Sequence, residues 1–144
     1  MENQSIKNRL NEKIAEIENF VSQLYRFIPK ERGLEGYLGD LKTKAVCERY
    51  FEKIIEATED LAFLIINYKK FKYPEYEKEV FDILMNNKII PEGLCKRLKE
   101  AKGMRNIIAH EYGKIDDELV FEAITEQLEK DINEFIDVIR KEIR

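Results

Sequence analysis

Residues 6–28 read IKNRLNEKIAEIENFVSQLYRFI, and their apolar positions decide the fold. Ile6, Leu10, Ile14, Ile17, Val21, Leu24 and Ile28 recur at steps of three and four, which lines one face of an α-helix. Pro29 and Gly33 close this element. Gly33, Gly36 and Gly39 then predict a loop, which Leu34, Tyr37 and Leu38 pack down onto the body.

The same period continues downstream. A second long helix carries Leu41, Val46, Tyr50, Ile54, Leu61, Ala62, Ile65 and Tyr68 and ends before Pro74. A shorter one holds Val80, Phe81 and Leu84 and stops at Asn86-Asn87. Pro91 suits the first turn of a fourth helix, whose stripe is Leu94, Leu98, Ala101 and Ile108, with Gly113 at its C′ position. Asp116 is the expected N-cap of a fifth, with Asp117 and Glu118 in its first turn and Ile115 and Val120 as a hydrophobic staple. Its stripe, Ile124, Leu128, Ile132, Phe135, Ile139 and Ile143, runs to the end. No strand pattern, internal repeat or low-complexity segment competes. The expectation is an all-α protein, an antiparallel bundle of about five helices, with residues 1–144 as a single domain.

Composition narrows the function classes. A hydrophobic fraction of 44% argues against disorder despite 38% charged residues. The net charge of −4 argues against general coating of nucleic acid, though a local basic cluster still acts within a Debye length of ~8–10 Å. Cys47 and Cys95 lack zinc-like spacing and sit in apolar helical pattern, which suits buried thiols in a reducing cytosol. No run reaches the ~18–20 apolar residues of a membrane span, and the N-terminal stretch lacks an apolar signal core. The expected location is cytoplasmic. One histidine and two distant cysteines make no metal constellation, and no glycine-rich phosphate loop or Ser-His-Asp arrangement is identifiable, so no metal and no cofactor are expected.

The chemistry concentrates in Arg105-Asn106-Ile107-Ile108-Ala109-His110-Glu111-Tyr112. Histidine moves protons near neutral pH, and arginine offers a charged fork to phosphate oxygens. Asn106 and His110 are four apart and share a helix face, so Asn106 is placed to orient the ring. Arg105 and His110 stand roughly 140° apart around the axis, so they border one anion without pairing to each other. The competing reading of His110 is a partner for the C-terminal helix dipole. Lys96, Arg97, Lys99 and Lys102 form the densest basic run of an acidic chain. That run is either a solvated face or a phosphate-tracking RNA surface. Glu56 and Asp60, four apart on the second long helix, are candidate partners for Arg105. Tyr112 has an ordinary reading as aromatic packing near a helix end.

The Arg-x4-His-x-Tyr pattern of Arg105, His110 and Tyr112 resembles the HepT branch of the HEPN ribonuclease superfamily. The resemblance extends over residues 49–62, Pro74, Ile89-Ile90-Pro91, residues 104–112 and residues 115–121. It implies a helical, metal-independent endoribonuclease toxin of a toxin–antitoxin pair, with Arg105 on the phosphate and His110 moving protons. It also favours an acidic pair on the second helix, here Glu56 and Asp60. A ribonuclease of this kind uses the RNA 2′-hydroxyl as nucleophile and needs both a base and an acid. One histidine cannot easily fill both roles at once, so a symmetric homodimer is expected, as the resemblance implies. It further implies a cognate minimal nucleotidyltransferase that attaches AMP to Tyr112 and silences the toxin, adding negative charge beside Arg105. The alternatives are a non-catalytic helical adaptor that binds a nucleotidyltransferase and nucleotide, and an interaction bundle with no chemistry.

Overall fold

The computed structural model describes residues 2–31, 33–73, 75 and 79–144; Pro74, expected just beyond the second long helix, lies outside them. Its helices are α1 (Glu2–Phe27), α2 (Gly33–Leu38), α3 (Leu41–Lys69), α4 (Val80–Asn86) and α5 (Glu92–His110). A 3₁₀ turn (Tyr112–Lys114) leads into α6 (Asp117–Glu122), a π-helical stretch (Ala123–Leu128) and α7 (Glu129–Glu142). Backbone angles stay in the right-handed helical region at Ala123, Leu128 and Glu129, so the last three pieces form one rod. Among the described residues no strand occurs, and the all-α expectation is borne out.

The polarity of the rods follows from their contacts. Lys13 meets Asp60 at 3.5 Å and Phe27 stacks on Tyr50, so α1 runs antiparallel to α3. Leu10, Ile17 and Leu24 from α1 are fully buried with Ile54, Leu61 and Ile65 from α3. Phe81 of α4 meets Phe135 of α7 edge to face, 6.0 Å between centroids. Each such side chain contributes about 1.5–3 kcal/mol by leaving water.

The ends are closed by local chemistry. The Asp40 carboxylate accepts from the backbone of Lys42 and Thr43 and caps α3. Lys70 closes α3 in the left-handed region (φ 59°), with its own N–H on Asn67 and that of Phe71 on Ile66, a Schellman arrangement. Asp116 caps α6 as expected, accepting from Leu119 N–H at 3.2 Å. Two expectations are corrected. Residues 33–38 are helical rather than loop, because Tyr37 is buried and its ring packs on Phe121 at 5.1 Å. Gly113 is not the C′ residue of α5: Glu111 caps that helix, its N–H donating to Ile107 at 2.8 Å, and Gly113 lies inside the 3₁₀ turn. Pro91 sits at the N-cap, one residue before the first turn.

The π stretch displaces backbone carbonyls from their usual helical partners, and two hydroxyls answer it. Tyr25 of α1 donates to the Ile124 carbonyl at 2.7 Å, and Thr125 donates to that of Phe121 at 2.8 Å. Burial pushes the Tyr25 hydroxyl up to about 12, which keeps it a donor. Tyr25→Phe strands the carbonyl of a buried residue. Urea unfolding should show a loss of about 1–3 kcal/mol with an unchanged slope. A loss below about 0.5 kcal/mol would mean that this bond does not hold the stretch to α1.

Candidate active site

The motif occupies the last two turns of α5. Lys102 and Arg105, three apart, both point at α3, where Glu59 is only 4% exposed. Arg105 donates from one terminal nitrogen to Glu59 Oε1 at 2.5 Å, and Lys102 Nζ lies 3.0 Å from Glu59 Oε2. The other terminal nitrogen of Arg105 meets Glu56 at 3.6 Å, an ion pair beyond hydrogen-bond length. Glu56 is about half exposed, whereas the Arg105 side chain is largely buried. Arg105 Nε has no acceptor among the described residues. Thus a buried carboxylate fixes the guanidinium, while an exposed one holds it loosely.

Sequence reasoning named Glu56 and Asp60 for this role. Glu56 takes it in part. Asp60 does not: one residue beyond Glu59, it is turned by 100° toward α1 and pairs with Lys13. The principal partner, Glu59, was missed. Its signal was present, as an acid within the apolar stripe of a long helix.

His110 is the last residue of α5 and is exposed. Neither it nor Asn106, also exposed, makes a side-chain hydrogen bond among the described residues, so the expected Asn106–His110 contact is not formed. Both remain on the row that starts at Lys102, in steps of four. The backbone of Tyr112 enters the 3₁₀ turn, but its side chain lies outside the described residues.

Three residues of the expected phosphate-tracking run carry ion pairs. Lys102 is buried on Glu59. Arg97 clasps α7 through Asp131 at 2.9 Å and Glu134 at 3.0 Å. Lys99 holds Asp82 of α4 at 3.0 Å with both carboxylate oxygens. Of the four, only Lys96 stands exposed without an acidic partner among the described residues. The run therefore ties α5 to its neighbours. Burial raises the Cys95 thiol to about 11, and nearby Asp82 adds to the shift; burial likewise lifts Cys47 to about 11, so neither is a ready nucleophile. A cavity of about 110 Å³ under α5, walled by Ile55, Leu98, Met104 and Leu128, does not include Arg105 or His110 in its lining. Within the motif Asn106, Ile107 and His110 are exposed, while Arg105 is largely buried. No described helix is long and apolar enough to cross a membrane.

A family model described as Ribonuclease HepT-like matches residues 10–139. The chain is 32% identical over 91 residues to the mRNA nuclease HepT of Shewanella oneidensis, covering 63% of this chain and 68% of that protein. It is 30% identical over 97 residues to the tRNA nuclease HepT of Aphanizomenon flos-aquae, covering 67% and 66%. The matched segment thus spans about two thirds of each relative's length. In structure it is similar to the tri-AMPylated Shewanella oneidensis HEPN toxin in complex with MNT antitoxin. That match has a TM-score of 0.83 and 25% identity, and it covers 92% of this chain and 96% of the other. The cytosolic protein YutE of Bacillus subtilis shares the fold, with a TM-score of 0.78 at 15% identity, covering 95% and 90%.

Proposed function

This chain belongs to the HepT-like ribonuclease family, and on that premise we propose that it is a cytoplasmic, metal-independent endoribonuclease toxin. Its single domain works as a homodimer and is silenced by a minimal nucleotidyltransferase. The observation that carries the reading is the asymmetric grip on Arg105. Buried Glu59 holds one edge of the guanidinium in place. Exposed Glu56, at 3.6 Å, is the contact that an incoming phosphate oxygen displaces. The fork then meets the charge that develops on the phosphorane.

In this mechanism His110 takes the proton of the RNA 2′-hydroxyl. The oxygen attacks the adjacent phosphorus, and the leaving 5′-oxygen takes a proton from the partner copy's histidine. Two copies are needed because each chain supplies one imidazole. Ile107 offers that copy an apolar anchor, 37% exposed and one turn before His110. Asn106, on the same row, orients the ring once the second copy closes the cleft. Tyr112, two residues beyond His110, is the AMP acceptor. Each AMP brings a phosphate to a site built to hold one, so the adduct competes with RNA for Arg105.

The purified protein should cut RNA in EDTA as a dimer. Heterodimers of one wild-type and one His110→Ala protomer should be nearly as inactive as the His110→Ala homodimer if the site is composite, because each cleft needs both imidazoles. With ATP and its nucleotidyltransferase, wild-type protein should gain mass in AMP-sized steps and lose cleavage, whereas Tyr112→Phe should stay active. A monomer that cuts RNA removes the composite site, and equal silencing of Tyr112→Phe removes the tyrosine from the regulation.

A further inference from the structure

With Arg97, Lys99 and Lys102 of α5 in ion pairs and Lys96 roughly four turns from His110, a nucleic-acid strand is served by another cation beside the motif. Lys53 of α3 is one. Its ammonium lies 5.2 Å from the Phe20 ring centroid and 5.3 Å from that of Tyr50. It has no carboxylate partner among the described residues, whereas its neighbour Arg49 is 3.6 Å from Glu52. The Tyr50 ring also stacks on Phe27, with centroids 6.1 Å apart and 23° between planes. Phe27 ends α1 and is 46% exposed. Stacked on Tyr50 through one face, Phe27 keeps nearly half of its surface open.

The patch and the motif share one end of the molecule. The Lys102–Glu59 and Arg105–Glu56 pairs make α5 antiparallel to α3. Stepping eight residues on from Lys102 and eight back from Glu59 brings His110 level with Phe51, in the turn that carries Tyr50 and Lys53. Glu56, which touches Arg105, follows Lys53 by one turn on the exposed side of α3. The motif lies on the α5 side of α3 and the rings on its α1 side, separated by roughly one helix diameter, ~10 Å.

We propose that Phe27, Tyr50 and Lys53 form a subsite for single-stranded RNA that holds nucleotides flanking the cleaved bond. A base stacks on the open area of Phe27, and a phosphate meets the Lys53 ammonium. Such stacking tolerates any base, because every base has a π-face, so the subsite adds affinity without strict sequence preference. The cation–π contacts pre-position the ammonium and leave its N–H donors without a described acceptor. This inference rests on the ribonuclease reading above.

The test is the affinity of a 2′-O-methyl RNA oligonucleotide, which lacks the attacking hydroxyl, followed by fluorescence anisotropy in EDTA across a salt series. Phe27→Ala should weaken binding at least about fivefold, and Phe27→Trp should bind as wild type. Lys53→Gln should flatten the slope of log affinity against log salt by about 0.7, one phosphate contact. It also keeps the test open if Phe27→Ala loses its helical circular dichroism. Unchanged affinity and slope in folded variants, with wild-type protein still cutting RNA, overturn the subsite and leave the ribonuclease reading standing. Wild-type protein that neither binds nor cuts RNA sinks both. If the variants lose only the nucleotidyltransferase or the dimer, at unchanged RNA affinity, the patch faces protein and the proposal is wrong.

Discussion

His110→Ala is expected to lower RNA cleavage by ~10²–10⁴-fold, the usual cost of removing a proton-transfer group, while leaving the unfolding curve nearly unchanged. The separation of the two effects follows from where the residue stands. His110 is exposed at the end of α5 and makes no side-chain hydrogen bond among the described residues, so its truncation breaks none there. Arg105 requires a gentler substitution. Alanine would take the Arg105 ion pair from buried Glu59 and would mix folding with catalysis. Arg105→Lys keeps the charge but loses the planar fork, so cleavage should fall at least tenfold with stability retained. Single-turnover cleavage of a labelled RNA, set beside thermal unfolding of the same samples, measures both. Wild-type rates in His110→Ala would remove the histidine from the mechanism. A parallel loss of stability would assign it a structural role.

The sequence made the long rods legible because their burial is one-sided and regular. The stripe of α1, from Leu10 to Leu24, is buried as its spacing requires, and the Asp116 cap falls where its chemistry places it. What escaped is whatever tertiary contact decides. Glycines at 33, 36 and 39 are poor helix formers, yet α2 forms because Tyr37 finds a buried place against Phe121. The π stretch leaves the spacing of Ile124, Leu128 and Ile132 unbroken, so periodicity cannot reveal it. In the site, the motif was readable from residue types alone, but its wiring was not. Glu56, Glu59 and Asp60 are all acids on one helix, and 100° per residue sends the first two to Arg105 and Asp60 to Lys13. The charge of the basic run was legible, but the partners of Arg97, Lys99 and Lys102 were not. Lys102 is 8% exposed and Arg97 bridges two carboxylates.

Glu59→Gln is expected to be the most destabilising single change at the site, by about 3–5 kcal/mol. The side chain keeps its shape and loses its charge, so Lys102, with a side chain 10% exposed, and Arg105, at 14%, become two cations in a poorly solvated cleft. Arg105 retains the longer contact to Glu56, whereas the 3.0 Å pair between Lys102 and Glu59 loses its anion. Removing the second charge at Lys102 should therefore recover part of the cost. The double variant Glu59→Gln/Lys102→Gln should accordingly be more stable than the sum of the single losses allows, with a coupling of about 1–3 kcal/mol. Guanidinium unfolding of the wild type, the two single variants and the double variant closes the cycle. Additivity within about 0.5 kcal/mol would show that Lys102 reaches solvent rather than depending on Glu59. A full coupling gives α5 its reason for carrying two cations against one buried acid: Lys102 shares that charge, and Arg105 stays fixed at one edge and open to phosphate at the other.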